Sequence, residues 1–183
     1  MMTPPDNRWS MRLRFAGAAR DIREAGAALA QPNEDTRQAI QRGMMFLATR
    51  IQRERFTGQG PFAVEAHRLG VRSGRLRRDI HAPDTVMTGD GYVSRIGASV
   101  SYFAVHELGY DGDVMVPGHR RRAYTRRGRR IGETMVRSHR RRLVMPARAP
   151  MRTGIEEHAE SVVGGELERS LRAQAERQRG GPA

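Results

Sequence analysis

The stretch from Val114 to Arg152 constrains the fold more than any other. It carries 13 Arg and a single acid, Glu133, a local charge of +12. The remainder of the 183-residue chain holds 20 Arg against 19 acids and is nearly balanced. Side chains charged at that density stay hydrated unless each is paired, so the segment cannot enter a core. It also repeats. Val116-Pro-Gly-His119-Arg-Arg-Arg122 recurs twenty residues on as Val136-Arg-Ser-His139-Arg-Arg-Arg142, with Thr125-Arg-Arg-Gly128-Arg-Arg between the copies as a turn. The simplest shape over 114–145 is a long two-stranded basic arm, with a disordered loop as the alternative. Strands of about 14 residues would reach roughly 45 Å, and with few apolar side chains they need a partner to be stable.

Composition explains part of the charge. All 33 basic residues are Arg and none is Lys, as a GC-rich genome produces, but genome bias does not concentrate them in one segment. The chain has no Cys, which excludes disulfides, thiolate metal sites and a cysteine nucleophile. Its apolar runs are short and interrupted by Arg or Gly, so no transmembrane helix is expected. The start, Met-Met-Thr-Pro-Pro-Asp, lacks a basic-then-apolar leader pattern, which gives a cytoplasm-like compartment as the expectation.

Outside the arm, the pattern alternates between strand and helix periods. Trp9, Met11, Leu13 and Phe15 recur every second residue, as in a strand with one buried face. Ala18–Ala30 reads as a helix broken by Gln31-Pro32-Asn33. Asn33 or Asp35 starts the next helix, where Ile40, Met44, Leu47 and Ile51 form an apolar stripe and Met44, Met45 and Phe46 are expected in the core. Thr57–Pro61 closes it; this Gly-rich run lacks the Lys-Ser/Thr of a phosphate loop. Residues 62–81 form a basic connector anchored by Leu69, Leu76 and Ile80. Thr85–Met87 and Tyr92–Ala98 read as a hairpin across Asp90-Gly91. From Ser99 the period changes. Tyr102, Val105, His106 and Gly109 mark a two-turn helix capped by Ser99 or Ser101, with Tyr102 and Leu108 expected in the core. After Pro146–Pro150 comes a C-terminal helix, 150–175, on Ile155, Ala159, Val162, Leu167 and Leu171, with Gly164-Gly165 placed to bend it and a frayed tail from Arg177. The expected class is α+β: one domain over 1–183, with a small antiparallel sheet from 9–15 and 82–98 that 114–116 and 143–145 can extend. Two long helices, 33–56 and 150–175, cover it, and the basic β-hairpin arm protrudes.

Catalytic patterns are not found. His106-Glu107 lacks the second His four residues on that a zinc-protease helix needs, since position 110 is Tyr. His119 and His139 occupy equivalent repeat positions, but Arg120, Arg121, Arg122, Arg140, Arg141 and Arg142 adjoin them and their field opposes a dication. These eight residues are candidates for contact with an anion or a neighbouring subunit. No enzyme, cofactor or metal is expected.

Ser73-Gly74-Arg75-Leu76, then Ile96-Gly97 with Tyr102-x-Ala104-x-His106-Glu107-x-Gly109, then Pro146-Ala147-Arg148 stand in the order and approximate spacing of the virion-morphogenesis and minor tail proteins of phages. The chain resembles that family over roughly residues 8–175, with a long basic insertion between Gly109 and Pro146. The resemblance implies a structural role for Gly74, Leu76, Gly97, Tyr102, Ala104, His106, Gly109, Pro146, Ala147 and Arg148. It implies a tail-completion or tail-terminator subunit in the virion, at the head–tail junction or tail end. Its partners would be further copies of itself in a ring, most simply a hexamer, adjacent neck or tail-tube proteins, and packaged DNA passing through, with no membrane. The competing reading is a nucleic-acid-binding protein using 114–152, since dense Arg is the electrostatic footprint of phosphate contact. Against it, Tyr124 is the one aromatic in the arm and no DNA-reading helix precedes it.

Overall fold

The structure, a computed structural model, describes residues 33–88 and 91–179. The strand read at Trp9–Phe15 and the helix read at Ala18–Ala30 lie outside the described residues.

Helix α1 spans Glu34–Arg55 and starts where the sequence places it. Asn33 is the N-cap, its side-chain oxygen accepting from the Thr36 N–H at 2.9 Å, with Glu34 and Asp35 in the positive first turn. The Tyr92 hydroxyl receives the Asn33 N–H at 2.6 Å and donates to its carbonyl at 3.0 Å, pinning the cap to the hairpin. The stripe Ile40, Met44, Leu47 and Ile51 is buried. Met45 and Phe46 are not, at 55% and 54% exposed. Successive helical residues point about 100° apart, so three in a row cannot share one buried face.

The other long element begins at Pro150. Helix α4, Pro150–Ala159, passes through a π turn at Glu160–Gly164 into α5, Gly165–Arg179. The interruption ends at the Gly164-Gly165 pair singled out in the sequence, and the helix continues through Arg177 to Arg179 rather than fraying there. All three pieces pack on α1. Val163, fully buried, sits over Gly43 so closely that a Cβ there would lie 2.8 Å from the Val163 Cα. Met44, Leu47, Ile51, Phe56 and Phe103 complete the core, each worth about 1.5–3 kcal/mol of apolar burial.

Between these helices the chain makes short elements. Helix α2, Arg75–Asp79, follows Gly74, whose φ of 71° is left-handed. Ile80 is buried, and Leu69 and Leu76 pack against the core as anchors. Strands β1, Val86–Thr88, and β2, Gly91–Val93, pair antiparallel. The strand expected to run to Ala98 stops at Val93. Past it, the Ser94 hydroxyl lies 3.0 Å from that of Thr85, which also donates to Gln41, and an isolated bridge joins His81 to Gly97.

Helix α3 spans Phe103–Leu108, but neither Ser99 nor Ser101 caps it. Instead the Ser99 and Val100 N–H groups donate to the Asp79 carboxylate. Starting at Phe103, the helix buries Phe103 and Glu107, 1% and 3% exposed, as an i, i+4 pair. Tyr102 and Leu108, expected in the core, are 40% and 58% exposed.

The arm is a two-stranded ribbon. β3, Tyr110–Val116, pairs with β8, His139–Met145. β4, His119–Arg121, pairs with β7, Thr134–Val136. β5, Tyr124–Arg126, pairs with β6, Arg129–Ile131, across a turn at Arg127-Gly128. One register runs throughout, from Tyr110↔Met145 to Arg126↔Arg129, with no residue inserted on either side. The arm therefore begins at Tyr110, four residues before the sequence placed it. The α+β class and the two long helices stand as read. The ribbon and the β1–β2 hairpin remain separate two-stranded ladders among the described residues, so 114–116 and 143–145 do not extend a common sheet.

Candidate functional site

The repeat explains the arm's middle. Val116 pairs with His139 and His119 with Val136, so each copy of Val-x-x-His lies antiparallel against the other. The local two-fold extends to hydrogen bonds. His119 Nδ1 lies 3.1 Å from the Pro117 carbonyl and His139 Nδ1 lies 3.0 Å from that of Arg137. The imidazoles sit on separate rungs, each tied to its own strand, not opposite one another.

The six repeat arginines divide by what they meet. Arg142 forms a fork on Asp111, 3.0 and 2.9 Å, and Arg120 reaches Glu133 at 2.7 Å. Arg121 lies over the Tyr124 ring, 4.2 Å from its centre. Arg121, Arg122, Arg140 and Arg141 have no carboxylate partner among the described residues. In the base of the ribbon, Arg140 and Arg142 share one face with Met115 and Val144, both well exposed, while Arg141 shares the other with Leu143 and Val114. The exposed face thus mixes guanidinium with apolar surface.

At the arm's base the family-like motifs converge. Gly109, φ 78°, ends α3 and turns the chain into β3. A Cβ there would come within 2.9 Å of both the Ala147 nitrogen and the Met145 carbonyl oxygen, so Gly109 lets the two roots of the arm close. The Arg148 and Ala149 N–H groups both donate to the His106 carbonyl, at 2.9 and 3.2 Å. His106 stands edge-on to Tyr102, ring centres 6.2 Å apart, and both line a cavity of about 260 Å³ with Gly74 and Leu76. Burial, aided by the Arg148 charge, pushes the His106 pKa down, which favours the neutral ring. The Arg148 guanidinium donates to the carbonyls of Phe62 and Ala63, both 2.8 Å, and its own carbonyl meets His67 Nδ1 at 2.8 Å. Gly97 is buried and bridged to His81, Ala104 is half-buried within α3, and Pro146 is exposed.

Two buried contacts escaped the sequence reading. Glu107 is buried, and its carboxylate accepts the Met151 N–H at 3.1 Å and the Arg152 N–H at 2.7 Å, capping α4 from another element. Burial raises its pKa against those two hydrogen bonds and the Arg152 charge. His158 is buried between α1 and α4, with Nε2 2.6 Å from a Glu54 oxygen. Glu54, Glu157 and His158 bring possible ligand atoms within 4.8 Å of one another. Both carboxylates are already held by arginines, Glu54 by Arg50 at 2.9 Å and Glu157 by Arg55, so the set functions as an inter-helix charge network. Nothing in residue spacing announces either contact, because each joins positions more than forty apart.

No described helix is long and apolar enough to cross a membrane. Comparison with protein-family models, curated proteins and solved structures finds no match to this chain.

Proposed function

We propose that the chain is a structural subunit of a tailed phage or phage-like particle, assembling as a ring at the head–tail junction or tail end. The observation that carries this reading is the ribbon from Tyr110 to Met145. Among the described residues its distal strands pair with each other and with nothing else, and their side chains are largely exposed. A two-stranded ribbon of that length, without a sheet behind it, gains stability by lying on a neighbour. The junction supports the same reading, since Gly74 and Leu76 line one cavity with Tyr102 and His106, and the Arg148 N–H bonds the His106 carbonyl. A hexamer is the simplest ring, because the resembled family is built into sixfold tails.

Native mass measurement of assembled tails or necks tests it. The expected result is a closed cyclic multiple of the chain; one copy per particle overturns the reading. A second reading, nucleic-acid binding, is favoured by four of the six repeat arginines, Arg121, Arg122, Arg140 and Arg141, which have no carboxylate partner among the described residues.

A further inference from the structure

We propose that a cleft beside Arg148, away from the arm's strands, binds a carboxylate carried on a segment of a partner protein. The cleft lies between 59–62 and 68–72, an open depression of about 530 Å³. Arg68, Arg72 and Arg148 line it together with Pro61, Phe62 and Leu69, and no Asp or Glu among the described residues does. Three arginines therefore line a concave, partly apolar space that no carboxylate among the described residues shares.

Arg68 supplies the sharper observation. Its guanidinium carbon lies 4.7 Å from the centre of the Phe62 ring, which fixes its plane, yet its Nε is buried with no acceptor among the described residues. A buried donor left without a partner is costly, and a carboxylate is the planar acceptor that a guanidinium fork matches. Arg148 is held in place by the carbonyls of Phe62 and Ala63 and so presents a fixed charge to the same space.

The lining selects the carrier. Pro61, Phe62 and Leu69 offer apolar contact that suits a peptide and that a phosphodiester backbone does not use. Leu69 and Val71 donate their N–H groups to the carbonyls of Arg55, 2.8 Å, and Gly58, 2.9 Å. Between them Gly70 packs backbone to backbone on Gly60, where an added Cβ would overlap the Gly60 nitrogen, so the two walls of the cleft meet there and the arginines stand beyond the contact.

The test uses the full chain and a fluorescein-labelled, C-terminally amidated hexapeptide of alternating Val and Asp. Its Val/Asn counterpart, free glutamate and duplex DNA serve as comparisons. The Asp peptide should bind about tenfold or more tighter than the Asn peptide, and Arg68→Met and Arg72→Ser should each remove about that factor. Arg72 is exposed, so Arg72→Ser decides the matter should Arg68→Met fail to fold. Replacing Arg120, Arg121 and Arg122 by Ser should change nothing. Equal affinity for the two peptides overturns the inference, as does a loss produced by the arm variant instead of the cleft variants. Displacement by glutamate at the peptide's own affinity, or by duplex DNA in a way that Arg72→Ser abolishes, overturns it as well. The inference is independent of the ring, so failure here leaves the copy-number measurement untouched.

Discussion

Glu107 joins the short helix to the long one through two backbone hydrogen bonds, and it does so from a buried position. Glu107→Ala leaves the first turn of α4 without its acceptor and should lower stability by about 1–2 kcal/mol in a denaturant titration near neutral pH. The charge state gives a finer test. Burial places the native pKa above the ordinary 4.5, so the folded chain holds this proton to higher pH than the unfolded chain does. The contribution is complete below about 4.5 and declines as pH rises through the native value. Glu107→Gln cannot titrate. The stability of the wild type relative to Glu107→Gln should therefore fall as pH is raised across that window; a rise would mean that the two N–H bonds outweigh burial.

At the scale of elements, α3 shows how a correct helix can carry a wrong core. Phe103→Ala should cost about 3–5 kcal/mol because the ring is fully buried, whereas Leu108→Ala should stay within about 0.5 kcal/mol. Paired thermal melts separate the two. The period of the segment gave its helix, but the phase of that helix depends on where its first turn begins. A carboxylate from Asp79, twenty residues earlier, sets that point, and no local pattern contains it. Longer patterns were more legible. The stripe through Ile40 and Ile51, the Asn33 cap and the Gly164-Gly165 interruption follow from residue spacing, because one helix face meets one core. The arm was legible through its repeat, whose copies pair with each other, while its start at Tyr110 was not, because Tyr110–Asp113 carry neither the repeat nor its arginines. What remained illegible at the site is tertiary: Arg148 reaching the carbonyls of 62 and 63, and Glu107 capping α4.

For the whole molecule, the division between a helical body and a solvated ribbon makes a separable prediction. Replacing Arg120, Arg121, Arg122, Arg140, Arg141 and Arg142 by Ser should leave the melting temperature of the body nearly unchanged, since all six are exposed and their side-chain partners, Asp111, Glu133 and Tyr124, belong to the arm. Particle assembly distinguishes the arm's partners. Salt lowers binding to Z phosphates with a slope of about −0.9Z, and a ring multiplies every contact, so arginines gripping DNA would build a clamp that opposes ejection. On the proposed ring reading, carboxylates on an adjacent subunit would be the favoured partner and the variant should fail to join its neighbour; particles that assemble but leak DNA would point to phosphate. The unbroken register of the ribbon has a last consequence. Its rungs match residue for residue over 110–126 and 129–145, a reach of about 55 Å from root to turn. Adding the same even number of residues to both strands would lengthen it by about 3.3 Å per residue without turning the tip over, whereas an odd number would present the opposite face. The hairpin is thus a ruler, graduated in steps of two, and the body that holds it need not know where it ends.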